Sequence, residues 1–406
     1  MLKINPLSTL YVGIDVSSKS NYVCALDFYK NKYINSSFAN NQPGAEELAL
    51  KILECLKEHP DITTIVAALE STSVYSIHIA NYLSSCEELM RFKPYVFVLN
   101  PKCTANYKKS YIGLGKSDPI DAFVIADYAR AGNIESEPWR GSQFLALKRL
   151  TRHRLHLVEC MTREKTYLVS NLYLKFSELQ MLEGDDQPFC DIYGATSSSV
   201  LMEYLSPEEI LVSSEEDLIA FLAEKSRNRI KDISKTADLL KKAARDSYRL
   251  DKALYEPLNV SIASSFNCIE TFKREIKVID NAIEKEIKGL NPNAFIILQS
   301  IDGIGPVFAG GIIAEIGDIT AFHSSDALAK YAGLTWKSNQ SGDFDGEDTP
   351  MIKAGNRYLR YYLGEAANSM RKHNVEYGAY YRKKYNEVPK HQHKSCLLYT
   401  SDAADD

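Results

Sequence analysis

The chain has 406 residues, 45% of them hydrophobic and 25% charged, and a formal net charge of −5. This composition is typical of a globular protein, and the length allows two or three domains. No apolar stretch approaches the ~20 residues of a membrane-spanning helix, and the first residues lack the basic and apolar regions of a signal peptide. The eight cysteines form no C-x-x-C pair, which disfavours a zinc ribbon. We therefore expect a cytoplasmic protein with reduced thiols and no membrane partner.

Residues 1–140 alternate strand-like and helix-like patterns, which indicates an α/β domain built on a sheet. Strands are predicted at residues 10–15, 21–28, 33–38, 63–69 and 95–99. The second of these is expected to be the hairpin partner of the first. Helices are predicted at residues 44–58, 74–83 and 119–131.

Residues 141–292 are predicted to form a helical domain. A basic helix covers residues 145–179, with bases from Lys148 to Lys165 that could contact nucleic acid. Further on, apolar residues alternate spacings of three and four from Ile262 to Ile287. That repeat predicts a coiled coil or a long helical hairpin. His153 and His156 share the basic helix, but no third ligand accompanies them, so a metal site there is not expected.

The sequence NPN at residues 291–293 should end the long helix, and residues 293–394 are predicted to form a compact, mostly α-helical domain. The terminal sequence CLLYTSDAADD, from Cys396, shares no periodicity with what precedes it. We interpret residues 395–406 as the in-frame translation of a sequencing adapter, which would mean that the native C-terminus is missing.

The stretch KSDPIDAFVIADYAR at residues 116–130 places two carboxylates, Asp118 and Asp121, at the start of a predicted helix. Asp118 could be the N-cap, with Pro119 at the first helical position and Asp121 at N3. Residues three apart also share a helix face, so both carboxylates could point at one cation. The local sequence leaves both interpretations open.

Two further acids, Asp15 and Glu70, each follow an apolar strand. Open α/β sheets place their sites at the carboxyl ends of such strands. If these acids converged with Asp118 and Asp121, the carboxylates would repel one another strongly. A divalent cation would relieve that repulsion, and oxygen ligands favour Mg²⁺. Two such ions could clamp a phosphodiester during strand transfer.

The ordered motifs GIDVSSKS, ALEST, LNPK and KSDPIDAFVIADYAR resemble the DEDD transposases of bacterial insertion sequences, which include bridge-RNA-guided recombinases and are related to the Piv invertases. The resemblance implies a RuvC-like (RNase H-like) N-terminal domain. It makes Asp15, Glu70, Asp118 and Asp121 both the catalytic acids and the magnesium ligands. Relatives often carry Lys-Thr-Asp where this chain has Lys116-Ser117-Asp118, a mild departure.

The C-terminal part continues the resemblance through the motifs SIDGIGPVFAGGIIAEI, LAKYAGL, SNQSGDF and IKAGNRYLRYYL. In the family, the serine of a Ser-Gly pair in this order is the nucleophile, which here is Ser341. Many relatives have two serines before the glycine, whereas this chain has Gln340-Ser341-Gly342, with Ser338 as a nearby fallback. Without the resemblance, such a pair would be taken for an ordinary polar loop.

Several residues are candidates for contacting nucleic acid. Gly303 and Gly305 form a G-I-G turn whose backbone amides could approach a phosphate, although a plain interhelical turn would look the same. The spacing of Lys353, Arg357 and Arg360 predicts one face of a helix, either solvated or bound to phosphate. Lys116, which stands beside the acidic pair Asp118 and Asp121, is also expected to contact nucleic acid. Tyrosines and bases alternate at residues 377–384, a pattern that suits stacking on nucleic acid or a half-buried helix.

The resemblance covers roughly residues 8–385 and implies a recombinase of an insertion sequence. It would cut and rejoin DNA through a phosphoserine intermediate, use magnesium, be guided by a structured noncoding RNA, and assemble as a homodimer or homotetramer. One alternative is a junction-resolving nuclease that has the same acids but uses water as nucleophile. Another is a nucleic-acid-binding scaffold with a decayed site. A sugar-kinase-like ATPase is disfavoured because no glycine-rich phosphate motif is present.

Overall fold

The computed structural model describes residues 4–71, 74–134, 138–336, 340–341, 344–345 and 351–387, with only the backbone of residues 340–341 and 344–345. Ser338 and the suspected adapter segment lie outside the described residues. The chain divides into two compact units. One comprises Met1–Ala146 with Gly317–Ala329, and the other Leu147–Ile316 with Lys330–Asp406. The helical middle and most of the C-terminal part therefore share one unit.

The first unit is an α/β domain built on a five-stranded sheet. Its strands are β1 (Thr9–Val16), β2 (Ser20–Leu26), β3 (Lys32–Ala39), β4 (Thr64–Glu70) and β5 (Pro94–Leu99), in the spatial order β3-β2-β1-β4-β5. Strands β1, β2 and β3 form an antiparallel meander, whereas β4 pairs in parallel with both β1 and β5. The predicted strands and the hairpin are confirmed.

Helices cover both faces of this sheet: α1 (Gln42–Glu58), α2 (Tyr75–Ser85), α3 (Glu87–Met90), α4 (Pro101–Lys108) and α5 (Asp118–Arg130). Alternate residues of a strand point to opposite faces. Leu10 and Ile14 of β1 accordingly pack in one core with Leu48 of α1 and Ile79 of α2. On the other face, Tyr11 packs in a second core with residues of α5. The central strand β1 is thus buried on both faces.

Beyond α5 the described chain is mostly helical. Its helices are α6 (Ser142–Lys175), α7 (Ala195–Glu203), α8 (Pro207–Val212), α9 (Glu215–Ser226), α10 (Ile233–Asp246), α11 (Lys252–Leu290), α12 (Pro292–Gln299), α13 (Pro306–Ile316), α14 (Ser325–Ala332), α15 (Arg357–His373) and α16 (Val375–Glu387). Short strands β6 (Thr335–Trp336) and β9 (Met351–Ile352) pair with each other, as do β7 (Gln340–Ser341) and β8 (Phe344–Asp345). No helix among the described ranges is long and apolar enough to cross a bilayer.

The heptad-like repeat lies on α11, a helix of 39 residues that ends next to the predicted NPN break. Ile262 and Phe266 belong to a core shared with α6 to α10, and Ile283 and Ile287 belong to another shared with α12, α13 and α15. The repeat therefore predicts the long helix correctly. Its apolar face is buried by helices of the same chain, so this seam does not require a coiled-coil partner.

Candidate active site

Asp15 and Glu70 stand side by side at the carboxyl ends of two neighbouring strands. In the parallel register of β1 and β4, Ile14 is opposite Leu69, and each is followed directly by one of the acids. Both side chains are half-buried. Since ligands of α/β sheets bind at this edge, the predicted strand-end acids occupy the place where a site is expected.

Helix α5 lies unusually close to β1 because Gly13 has no side chain. A Cβ at Gly13 would lie 2.2 Å from the carbonyl oxygen of Ala122 and 2.3 Å from the amide nitrogen of Ala126. Asp15 points to the same sheet face as Gly13 because alternate strand residues share a face. Asp118 lies one helical turn before Ala122 on the same helix face. The glycine–alanine contact thus sets the helix that carries Asp118 against the strand that carries Asp15.

The helix begins one residue earlier than the sequence predicts. Ser117 is the N-cap, with extended φ and ψ, and its carbonyl oxygen accepts the amide hydrogens of Ile120 and Asp121. Asp118 is the first helical residue and is exposed, and the side chain of the N-cap Ser117 makes no cap hydrogen bond. The capping interpretation of Asp118 is therefore wrong, and its carboxylate is available for another role.

The four acids act on one another electrostatically. Burial, followed by the charges of Asp121, Asp118 and Glu70, raises the pKa of Asp15 from 3.8 to about 6, against the opposing charge of Lys108. Asp15 therefore feels the charges of the three other acids that the sequence singled out on two strands and one helix. Such mutual repulsion is typical of a site that binds a cation or moves a proton.

Helix α4, absent from the predicted elements, supplies a hydrogen bond to each flank of this cluster. The Thr104 hydroxyl donates to Glu70 Oε1, and the Lys108 ammonium donates to Asp121 Oδ1. The helix begins at Asn100-Pro101, where the Asn100 side chain accepts the Lys102 amide hydrogen at 3.0 Å. An Asn N-cap followed by Pro at N1 is a recognised start signal that could have revealed this helix.

The donor chemistry of these residues fits a hard divalent cation, because all four side chains offer carboxylate oxygens. Their arrangement is looser than a closed ligand sphere. Among the residues whose side chains are described, no three acids, histidines or cysteines are placed to hold one ion. Thr104 and Lys108 instead engage the oxygens of Glu70 and Asp121.

A buried acid near the other end of α5, Asp127, was not singled out from the sequence. Its carboxylate accepts hydrogen bonds from Arg130 Nε at 2.6 Å, Tyr107 at 2.8 Å and Tyr111. Lys30, from the β2–β3 turn, forms an ion pair with it at 3.2 Å. Burial alone would raise the pKa of Asp127, but these donors hold it below its ordinary value. A lone Asp six residues after Asp121 gives no sequence signal, because its donors come from three separate segments.

In the C-terminal part, Ser341 lies on β7, paired through its backbone with Phe344.

The charged candidates around α15 differ from one another. Lys353 precedes the helix, which begins at Arg357 after the N-cap Asn356, so the three bases do not share one helix face. Arg357 is exposed and pairs with Glu159 at 2.9 Å.

Arg360, in contrast, is only 9% exposed. Its guanidinium donates to the carbonyl oxygens of Ala332 at 2.9 Å and Lys353 at 3.2 Å. Because the side chain is buried and Nη1 is engaged by two backbone carbonyls, the assignment of Arg360 as a phosphate contact is corrected to a structural role. Lys116 is exposed, as a nucleic-acid contact would require.

The two glycines of the G-I-G turn also have different roles. Gly303 has φ +100°, and a Cβ there would lie 2.8 Å from the backbone of Met370 on α15. Close packing against α15 therefore explains Gly303 without any phosphate. Gly305 faces open space. Only Gly305 keeps the unobstructed backbone that a phosphate contact needs.

Part of the basic helix α6 is used inside the protein. Arg152 donates to both oxygens of Glu315, from Nε at 2.8 Å and Nη2 at 2.9 Å, and Lys148 approaches the same carboxylate at 3.8 Å. Arg154 pairs with Asp280 at 2.5 Å. These bases balance the buried Glu315 and the half-buried Asp280, so the positive charge available to nucleic acid on α6 is smaller than the sequence indicates. His153 and His156 are exposed and stacked on each other.

Two family models match this chain. One, described as a transposase and named for DEDD and IS110, matches residues 12–177, and the other, "Transposase IS116/IS110/IS902 family", matches residues 296–382. The first span contains Asp15, Glu70, Asp118 and Asp121, and the second contains Ser341. The matches therefore cover both parts of the chain in which candidate residues were found.

Among curated relatives, an uncharacterized 42 kDa protein of insertion element IS900 from Mycobacterium paratuberculosis is 24% identical over 87% of this chain and 83% of its own length. An uncharacterized 44.8 kDa protein of insertion element IS116 from Streptomyces clavuligerus is 24% identical over 93% of this chain and 88% of its own. A pilin gene-inverting protein from Moraxella lacunata is 27% identical over 39% of this chain and 46% of its own. The chain therefore carries, in order, two transposase domains of the IS110 type, which indicate an enzyme that cleaves and rejoins DNA.

Proposed function

We propose that this transposase cuts and rejoins DNA at an insertion-sequence end and a target through a covalent phosphoserine intermediate at Ser341. The observation that supports the proposal is that the contact at Gly13 holds helix α5, with Asp118 and Asp121 in its first turn, against strand β1, which carries Asp15 and pairs with the strand of Glu70.

Asp15, Glu70, Asp118 and Asp121 would hold magnesium as a two-ion site, in the RuvC-like manner that the resemblance implies. When bound, the metal supplies Lewis-acid stabilisation of the phosphate charge. Lys108 and Thr104 orient the carboxylates of Asp121 and Glu70.

In the proposed reaction, the Ser341 hydroxyl oxygen attacks the scissile phosphorus. The bond from phosphorus to the departing DNA oxygen breaks, and the hydroxyl proton passes to a carboxylate of the acidic cluster. A serine hydroxyl is a weak nucleophile, so such a base is required. The mechanism also requires Ser341 to reach the acids, either within one chain or between the copies of a homodimer or homotetramer.

Target choice is assigned to base pairing with a structured noncoding RNA, as the resemblance implies. Lys116, Lys353, Arg357 and the backbone at Gly305 remain the candidate contacts to nucleic acid. The exposed tyrosines Tyr377 and Tyr380 of α16 could add stacking. The enzyme would then act on the nucleoid in the bacterial cytoplasm.

A suicide DNA substrate tests the covalent step, because a nick near the scissile phosphate lets the leaving fragment diffuse away. Wild-type protein should become covalently attached to DNA, and Ser341→Ala should abolish both attachment and cleavage. Ser338→Ala is the matched control and should retain both. Undiminished cleavage by Ser341→Ala would instead favour the nuclease that uses water.

The decayed-scaffold alternative predicts a different result. It requires wild-type protein with magnesium, guide RNA and a donor end to leave DNA intact. Cleavage that depends on both magnesium and Asp118 would exclude it.

A further inference from the structure

The segment that carries Ser341 leaves the helical body after α14 and returns to it at α15. Next to these two ends, β6 and β9 pair in antiparallel fashion, with Thr335 opposite Ile352 and Trp336 opposite Met351. Ser341 lies between these strands in the sequence. The position of the serine therefore depends on how firmly the two ends are held together.

A single buried side chain joins the two ends. Arg360 Nη1 donates to the carbonyl oxygen of Ala332, at the end of α14, and to that of Lys353, just after β9. Arg360 lies on the first turn of α15 and is 9% exposed. Hydrogen bonds from a buried charged group are among the stronger ones in proteins.

Two glycines allow the ends to touch through their backbones. A Cβ at Gly355 would lie 2.4 Å from the amide nitrogen of Gly333 and 2.7 Å from the carbonyl oxygen of Tyr331. Gly333 itself has φ +73°, a conformation that favours glycine. Any side chain at Gly355 would push the two ends apart.

Asn356 fastens this junction to the rest of the helical unit. Its backbone amide donates to the Tyr331 carbonyl oxygen at 2.7 Å, and its side-chain oxygen caps α15. Its Nδ2 donates at 2.8 Å to Glu315 on α13, a residue that is 2% exposed. Glu315 in turn accepts hydrogen bonds from Nε and Nη2 of Arg152 on α6.

We propose that Arg360, Asn356 and Glu315 are positioning residues that hold the base of the Ser341 segment and so set the nucleophile for attack on DNA. We call this junction the hairpin clamp; it comprises Gly333, Gly355, Asn356, Arg360 and Glu315. The inference rests on the proposed function of Ser341. It gives Arg360 a role that does not involve contact with DNA, in contrast to the phosphate contact that its charge and spacing indicate.

The test compares Arg360→Met, which is similar in length but cannot donate, with Arg360→Lys, which keeps the charge. Cleavage is measured in single turnover at saturating DNA, together with DNA affinity across salt concentrations. Hydrogen exchange of residues 331–336 and 351–356 is measured on the free protein. Arg274→Lys is the matched control, because Arg274 is exposed on α11 and pairs only with its neighbour Glu275 among the described residues.

Arg360→Met should lower the single-turnover rate by about 100-fold, the scale expected for a displacement of ~1 Å. Arg360→Lys should recover part of that loss. Exchange at the clamp should accelerate in Arg360→Met, and the salt dependence of DNA affinity should match wild type. If Arg360→Met does not fold, Gly355→Ala provides the same measurements at the opposite side of the junction.

Three results would overturn the proposal. Unchanged exchange would show that Arg360 does not hold the ends, and faster exchange with an unchanged rate would show that the clamp does not position the serine. A salt slope reduced by about one, with a normal rate at saturating DNA, would make Arg360 a phosphate contact. Failure of Ser341 as nucleophile is recognised separately, because Ser341→Ala would then still cleave while the exchange measurement on Arg360→Met remains interpretable.

Discussion

The two ends of helix α5 hold carboxylates in opposite circumstances. At its start, Asp118 and Asp121 approach Asp15 and Glu70, and burial together with these like charges raises the pKa of Asp15 to about 6. Toward its end, Asp127 is completely buried, yet its donors keep its pKa low. One short helix therefore carries an unbalanced set of acids and a balanced one. The balanced acid ties α5 to α4 and to the β2–β3 turn, which fixes the helix that presents the unbalanced set.

This contrast separates residues that stabilise the fold from residues that are available for chemistry. A buried charge with full partners is costly to remove but has no capacity left for a substrate. A half-buried acid repelled by its neighbours destabilises the fold and is retained where a cation or proton is to be bound. Substitutions at the two ends of α5 should therefore affect different measurements.

The largest effect is expected at Asp118. Asp118→Asn removes one oxygen charge from the proposed metal site and should reduce DNA cleavage on the order of 10³-fold, as loss of a preorganised electrostatic group does. The thermal unfolding midpoint should be nearly unchanged, because no cap hydrogen bond is lost.

Asp326→Asn is the matched control, since Asp326 is an exposed acid in the first turn of α14. It should retain wild-type cleavage. Full activity of Asp118→Asn in every DNA transaction would place Asp118 outside the site.

The next effect concerns stability at the other end of the helix. Asp127→Ala leaves Arg130 and Lys30 without their shared partner and should lower the free energy of unfolding by about 3 kcal/mol. We choose the low end of the range because the Lys30 side chain is 42% exposed. The measurement is urea unfolding followed by Trp139 fluorescence, in a Trp336→Phe background that leaves Trp139 as the single tryptophan of the chain.

Trp139 packs against the core of the first unit, so its signal reports on that unit. A variant at Asp127 that lost cleavage without losing stability would contradict the division of roles between the two ends.

A smaller effect is expected at Lys108. Its ammonium engages Asp121 and lowers the pKa of Asp15, so it competes with a cation for the same charge. Lys108→Met should lower the magnesium concentration for half-maximal cleavage by about tenfold, through loss of repulsion between two cations. Lys102→Met, at an exposed position on the same helix, should leave that concentration unchanged. A higher requirement in Lys108→Met would show that Lys108 orients the ligands more than it repels the metal.

The smallest effect is a pH dependence of stability with opposite sign at the two ends. The pKa of Asp15 is higher in the folded chain than its ordinary 3.8, so its carboxylate destabilises the fold above about pH 6 and not below about pH 4. Without divalent ions, Asp15→Asn should raise the free energy of unfolding by about 1 kcal/mol near pH 7.5, a value discounted for partial exposure, and by nothing near pH 4.

Asp127 should behave in the reverse manner. Its pKa is lowered, so its carboxylate stabilises the fold above its unfolded pKa, and the contribution fades as the pH falls through the folded value. Equal pH profiles for Asp15→Asn and Asp127→Asn would remove the distinction between the two ends.

The sequence predicted the sheet strands because an alternation of apolar segments and turn residues is a local property. It also predicted that Asp15 and Glu70 follow strands and that Asp118 and Asp121 begin a helix. It failed where a role depends on a distant partner. In the sequence, Arg360 resembles a phosphate contact. In the structure, its guanidinium donates hydrogen bonds to the carbonyl oxygens of Ala332 and Lys353.

The same reason accounts for the glycines and for α11. Gly303 and Gly305 look equivalent in the G-I-G turn, yet only Gly303 meets the backbone of Met370. The heptad repeat predicts that α11 has an apolar face, but it does not say what packs against that face. In the structure, helices of the same chain pack against it.

The sequence by itself determined the helices and strands and the positions of the acids at their ends. It could do so because backbone preference and the period of apolar residues act over a few residues. Which acids repel and which are neutralised was decided by the tertiary structure. Electrostatic interaction depends on distance through space, and the donors around Asp127 come from segments nearly a hundred residues apart in the chain. The packing of α5 on Gly13 sets the start of the motif against strand β1, and donors from α4 and the β2–β3 turn neutralise the acid near its end.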